Sequence, residues 1–237
     1  MIPGPTLVYK CPKCGNFSIR DSLCSGNTFG AKICSDGKRI APMLPEFPSI
    51  VKCKKCKTFF WLKSENYVGK YDDYKYEMKE EWKGADYANF LSANEYNDAI
   101  NLKMYNDESE QIFLRIRLWW TINDKIRDKD DICIADEYKI IYEQNCMKSL
   151  ELLDKNEIDG KLISAELFRN LGKFSECKNI LETVTDEEYI WIRKTMEEEC
   201  EKNNRNVITL VKPIDTEGIG QMTDAEPEAH ITKQRKS

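Results

Sequence analysis

Two short cysteine motifs constrain this chain more than anything else in it: Cys11-Pro12-Lys13-Cys14-Gly15 and Cys53-Lys54-Lys55-Cys56. A CxxC turn sets two sulfurs on one side of an ion while nearby backbone amides hydrogen-bond to them. Two such turns close a tetrahedron, the geometry Zn²⁺ favours with thiolates. In the first motif Pro12 fixes φ early, and Gly15 can take the left-handed conformation that ends the turn. In the second, Lys57 stands where a glycine is expected. The 38 residues between Cys14 and Cys53 exceed the roughly 15–20 of an ordinary ribbon. An insertion between the two knuckles is therefore expected.

Other uses of these thiols need other surroundings. A thioredoxin-like motif needs a βαβ unit, and none surrounds Cys11. An iron or iron–sulfur centre uses the same ligand type and stays open as an alternative. Disulfides need an oxidising compartment. Met1 is not followed by a basic and then apolar leader, and no apolar run reaches transmembrane length. The expectation is a cytoplasmic protein with reduced thiols and no membrane association. A closed four-cysteine site leaves no position for water, so a structural Zn²⁺ held by Cys11, Cys14, Cys53 and Cys56 is expected, not a catalytic one. The only histidine, His230, lies near the end of the chain, which removes histidine-based triads, ligands and acid–base chemistry from the folded part. Of the other six cysteines, Cys133, Cys146, Cys177 and Cys200 fall in helical patterns and read as buried free thiols. For Cys24 and Cys34 a substitute ligand or a redox-active group is an alternative to the ordinary free thiol.

Charge divides the chain. Residues 1–70 carry 12 Lys/Arg against 4 Asp/Glu, a formal +8; residues 71–204 carry 19 against 32, a formal −13. A basic head on an acidic body either attracts nucleic acid or docks on its own body.

Taken in order, residues 6–10 and 17–23 read as strands around the first knuckle, with Phe17 and Ile19 on one face. Ser25–Gly30 lacks the ending of a phosphate loop and reads as a turn. Ala31–Ile40 reads as a hairpin turning at Asp36-Gly37, the expected insertion. Pro42, Pro45 and Pro48 space an extended connector. Thr58–Leu62 is apolar on both faces, one for the ribbon core and one for the body. The domains expected are 1–68, a zinc-ribbon-like head; 69–84, a linker that includes Tyr71, Tyr74, Tyr76 and Trp82; 85–204, a helical body; and 205–237, a strand at Val207–Val211 followed by a disordered tail from 213. Helices are expected over 86–93 and 95–105, broken near Asn94, then over 108–127, 134–155, 157–184 (as a pair) and 186–203. The acidic group Asp128–Asp131 reads as a loop and cap. It lacks the spaced ligands, glycine and closing glutamate of a calcium loop.

Within 157–184, Ala165, Phe168, Gly172, Phe174, Cys177, Leu181 and Val184 fall where a tetratricopeptide repeat has its small, aromatic, turn and packing positions. The stretch resembles one such hairpin over about 28 residues, departing from it at Lys161 and Tyr189. Residues 85–105 resemble it more weakly through Phe90, Tyr96 and Ala99. As a whole the chain resembles uncharacterised bacterial proteins with an N-terminal Cys₄ zinc ribbon and a tetratricopeptide-like helical body. That resemblance implies an α+β fold and a scaffold that holds a protein or peptide, with Phe168 and Phe174 in its groove. Two alternatives are a nucleic-acid-binding regulator using Lys52, Lys54, Lys55, Lys57 and Phe59, and a thiol-based redox switch.

Overall fold

The computed structural model describes residues 1–72, 75, 77–127 and 134–212. The expectations for Tyr74, Tyr76, Asp128–Asp131, Cys133, His230 and the tail from 213 fall outside those residues.

Among the described residues the fold is mixed α+β, with small sheets in the N-terminal part and six α-helices. The head begins with β1 (Ile2–Pro3), β2 (Thr6–Lys10), β3 (Phe17–Arg20) and β4 (Leu23–Ser25). The single strand expected over 17–23 is thus two. β3 pairs antiparallel with β2, Val8 opposite Ile19, whereas β4 leaves to pair with β1. The insertion is a hairpin of β5 (Lys32–Cys34) and β6 (Arg39–Ile40). Its connection is the three-residue loop Ser35–Gly37, not a two-residue turn: Gly37 N–H donates to Cys34 C=O, and Cys34 N–H donates to Lys38 C=O. Next come β7 (Ile50–Lys52) and β8 (Phe59–Trp61), an antiparallel pair flanking the second knuckle.

Part of the stretch read as a linker pairs with strands of the head. β9 (Tyr67–Tyr71) pairs antiparallel with β2, and β10 (Asp86–Tyr87) pairs parallel with β3, giving the order β10-β3-β2-β9. Trp82 packs back onto β9. It is 3 % exposed, and its ring lies over Gly69 so closely that a Cβ there would come within 2.6 Å of it. Gly69 also has φ +155°, so glycine is required on both counts. Composition reads 69–84 as polar linker because a single tryptophan makes this contact.

The helix expected over 86–93 is absent; a two-residue strand and then irregular chain lead to Ser92 instead. Helix α1 (Ala93–Asn101) starts where Ser92 and Glu95 form a reciprocal capping box, which places Asn94 inside the first turn. It is followed by α2 (Glu108–Asn123), α3 (Asp136–Leu152), α4 (Ile158–Asn170), α5 (Phe174–Leu181) and α6 (Ile190–Glu201). Asp107 caps α2 through Glu110 N–H, and Gly172, at φ +74°, follows α4. The chain then returns to the head: β11 (Thr209–Leu210) pairs antiparallel with β5, Thr209 opposite Cys34.

The β7–β8 hairpin joins the two halves because its side chains alternate. Val51, Phe60 and Leu62 pack with Tyr9, Cys11, Cys53 and Ala88 in the small head core. Ile50, Phe59 and Trp61 face the other way, into the core of α1, α2 and α3. The Trp61 indole N–H donates to Met104 C=O at 2.8 Å, and its ring lies 5.5 Å from Phe113. Burying a phenylalanine on each face is worth on the order of 2–3 kcal/mol apiece. This two-faced use is what the apolar run at 58–62 implied.

The inserted hairpin makes the second junction. Asp36 is fully buried against α2: Asn123 and the Arg127 guanidinium donate to its carboxylate, and the Trp120 indole donates to its carbonyl. Ser35 donates to Glu166 at 2.8 Å and accepts from Ile208 N–H at 3.0 Å. Arg169 closes the network, donating to Glu166 and to the carbonyls of Asn204 and Asn206. Burial pushes the Glu166 carboxyl up, with Arg169 and Ser35 opposing. Insertion, body and returning strand thus share one buried polar cluster.

Candidate metal centre

The two knuckles match bond for bond. Cys11 N–H donates to Asn16 C=O and Gly15 N–H to Cys11 C=O; Cys53 N–H donates to Thr58 C=O and Lys57 N–H to Cys53 C=O. Gly15 has φ +72°, and Lys57 takes the same left-handed conformation at φ +62°. The lysine therefore does the work of the missing glycine, at a steric cost of about 1–2 kcal/mol. Asn16 is fixed in turn by its side-chain bond to Asp86 at 2.8 Å, so β10 buttresses the first knuckle.

β2–β3 and β7–β8 bring the four sulfurs together. All four lie within 4.8 Å of one another, with Cys11–Cys56 at 3.7 Å and Cys14–Cys53 at 3.6 Å. A tetrahedron with bonds of about 2.3 Å has edges of about 3.8 Å, so one ion fits this spacing. A multi-iron cluster, which sets several iron and sulfide atoms between its thiolates, would need more room. Cys11 and Cys53 are buried, while Cys14 and Cys56 are half-buried. The Thr58 hydroxyl and backbone N–H hold the Cys56 thiol down at about 6, and burial pushes Cys11 up to about 12. Coordination requires all four as thiolates, so loading releases protons. Thr58 and Asn16 were missed in the sequence. The available signal was their shared place, five residues after the first cysteine of each motif.

No family model, curated protein or solved structure matches this chain. The site is therefore read from its own chemistry.

The remaining sequence candidates fall elsewhere. Cys24 is exposed on β4 and Cys34 buried on β5; neither belongs to the four-sulfur cluster. Cys146 is buried on α3, whereas Cys177 and Cys200 touch each other. The basic knuckle is partly neutralised: Lys52 pairs with Glu95 at 3.4 Å and Lys54 with Asp86 at 3.7 Å. Phe59 is 4 % exposed, with Lys52 over its ring, so it offers no face to a nucleobase. Phe168 and Phe174 are half-buried. Both pack against the cores around α4 and α5.

Open apolar surface lies along α2. Its buried face carries Leu114, Leu118, Trp119 and Ile122, while a second stripe, Ile112, Ile116 and Trp120, stays half-exposed. Trp120 lines a cleft of about 470 Å³ beside the proline connector, with Phe90, Leu44 and Arg117. It also lines one of about 650 Å³ between the hairpin and α4 and α6, with Ile33, Ile163, Ile192 and Leu210. Arg117 lies against the Phe90, Phe113 and Trp120 rings and pairs with Glu46. Asp159 and Glu188, both exposed, line the larger cleft together with Arg39, and neither acid has an ion pair among the described residues. No helix among the described residues is long and apolar enough to cross a membrane.

Proposed function

We propose that this protein is a non-catalytic interaction module whose head is cross-linked by one structural Zn²⁺ on Cys11, Cys14, Cys53 and Cys56. Zinc is favoured by four thiolates, a tetrahedral spacing and no open ligand position. A structural zinc contributes on the order of 10 kcal/mol or more to a small domain, which the few residues of the head core need. The reading takes the protein as cytoplasmic, where disulfides are transient and not structural.

The observation that carries the interaction half is the half-buried stripe Ile112–Ile116–Trp120, whose Ile116 and Trp120 pack against the core on one side, with the clefts beside it on the other. A helix apolar on two faces has a second face to cover. The occupant we assign is a segment of another protein with apolar anchors flanked by Lys or Arg. Asp159 and Glu188 lining the larger cleft, on a body of formal charge −13, complement such a segment. The likeness of 157–184 to a tetratricopeptide hairpin is kept within this reading as scaffold: α4 and α5 pack through Ala165, Cys177 and Leu181.

The test uses two fluorescein-labelled amphipathic peptides, one of Leu and Lys, the other of Leu and Glu, with anisotropy as the readout. The Leu/Lys peptide is expected to bind, and both Ile116→Asp and Glu188→Lys to weaken it by about tenfold or more. Equal binding of the two peptides, or indifference to both substitutions, contradicts the assignment.

A further inference from the structure

Cys177 lies on the buried face of α5, one turn before Leu181; Cys200 lies in the last turn of α6, one turn after Met196. Their sulfurs are 3.3 Å apart, and their exposures are 0 % and 3 %. Ala165, Leu181 and Met196 surround them, with Phe168, Phe174 and Ile192 packed outside. A single buried cysteine packs as a small apolar residue. Two in contact across a helix interface form a dithiol. Among the described residues this is the one close cysteine pair outside the four-sulfur cluster.

We propose that Cys177 and Cys200 are a covalent modification site: a reversible dithiol–disulfide pair that fastens α6 to α5. The oxidant class is a low-molecular-weight disulfide. The Cys200 thiolate attacks one of its sulfurs and expels one small thiol. The Cys177 thiolate then attacks Cys200 within the mixed disulfide and expels the second. Two electrons pass from the protein sulfurs to the reagent, and both protons end on the two small thiols released. Cys200 is the first to react because it sits at the end of α6, where Arg169 and Lys178 favour its thiolate against the burial that pushes both thiols up. Reagent access requires the last turn of α6 to open, so exchange is slow while its equilibrium is set by the fold.

The bond would govern the path back to the head. Just beyond α6, the carbonyls of Asn204 and Asn206 hold Arg169, and β11 pairs with β5. Closing a loop between residues 177 and 200 removes freedom from the unfolded chain. Because the native sulfurs already touch, the fold and the bond favour each other.

The test equilibrates the metal-loaded full chain in glutathione buffers of graded redox ratio, with and without concentrated urea. After an acid quench and alkylation, non-reducing peptide maps quantify the Cys177–Cys200 link. The native chain is expected to give a dithiol–disulfide equilibrium constant about a hundredfold larger than the urea-unfolded chain. Cys146→Ser, at a buried thiol without a partner sulfur among the described residues, is expected to leave that ratio unchanged. A native constant equal to or below the unfolded one, or links scattered over Cys34 and Cys146, overturns the proposal. This test is independent of the groove and of its occupant.

Discussion

The Asp36 carboxylate accepts from the Arg127 guanidinium at 2.7 Å, across 91 residues of sequence and at a side-chain exposure of 0 % for the acid and 6 % for the base. Burial alone would push the arginine down, but Asp36 more than offsets this and holds it above its ordinary range. The inserted hairpin is thereby fixed to α2, so the insertion that lengthens the gap between the cysteine pairs also joins head to body.

Removing one partner of such a pair leaves the other buried and uncompensated. Asp36→Ala is expected to destabilise the chain by about 3–5 kcal/mol, read as the shift in urea midpoint at constant slope. A change under about 1 kcal/mol would show that the hairpin is not held by this contact.

Lys57 offers a test in the opposite direction. It holds a left-handed conformation that Gly15 adopts at the matching place in the first knuckle. Lys57→Gly is expected to raise stability by about 0.5–1 kcal/mol once the added freedom of the unfolded chain is subtracted, and Gly15→Ala to lower it by at least 1 kcal/mol. Thermal melts of the two variants should move apart. Melts moving together would contradict the matched geometry.

Two carboxylates at the head–body seam set a pH dependence. Burial would raise both Glu95 and Glu110. For Glu95, the Ser92 backbone N–H, the Ser92 hydroxyl and Lys52 outweigh it; for Glu110, Lys63 and the Asn106 backbone N–H do. Both are held below the ordinary carboxylate range. A depressed folded value contributes stability that is present above the unfolded value, about 4.3 for glutamate, and is lost as pH falls through the folded value. Denaturation midpoints are expected to drop on acidification below about pH 5, less steeply in Glu95→Gln. An identical pH profile for that variant would show that Lys52–Glu95 does not tie the knuckle to α1.

The cysteine pairs, the inserted hairpin and the two-faced run at 58–62 were legible because each is a local pattern with one physical meaning: ligand spacing, turn chemistry, alternation. The seam was not. Trp82 packs over Gly69 within a stretch whose composition is that of a linker, and the parallel pairing of β10 with β3 rests on two residues that look like the start of a helix. The capping box at Ser92 was readable and marks where α1 begins. The Cys177–Cys200 contact depends on how α5 and α6 pack, which their separate periodicities do not encode. Phe168 and Phe174 look like groove residues by repeat position, yet each packs one side against a helical core.

Chelation tests the dependence of the head on its centre. Stripping the metal is expected to abolish hydrogen-exchange protection at Val8, Tyr9 and Val51 while Leu118 and Leu167, deep in the helical core, keep theirs. Simultaneous loss everywhere would mean the two halves fold as one unit.

The central claim is that four cysteines share one ion. Native mass spectrometry of the purified chain tests it most directly. The expected result is one zinc per chain, lost in Cys11→Ser, Cys14→Ser, Cys53→Ser and Cys56→Ser and retained in Cys24→Ser and Cys34→Ser. A folded chain that carries no metal, or one whose metal survives all four ligand substitutions, contradicts it.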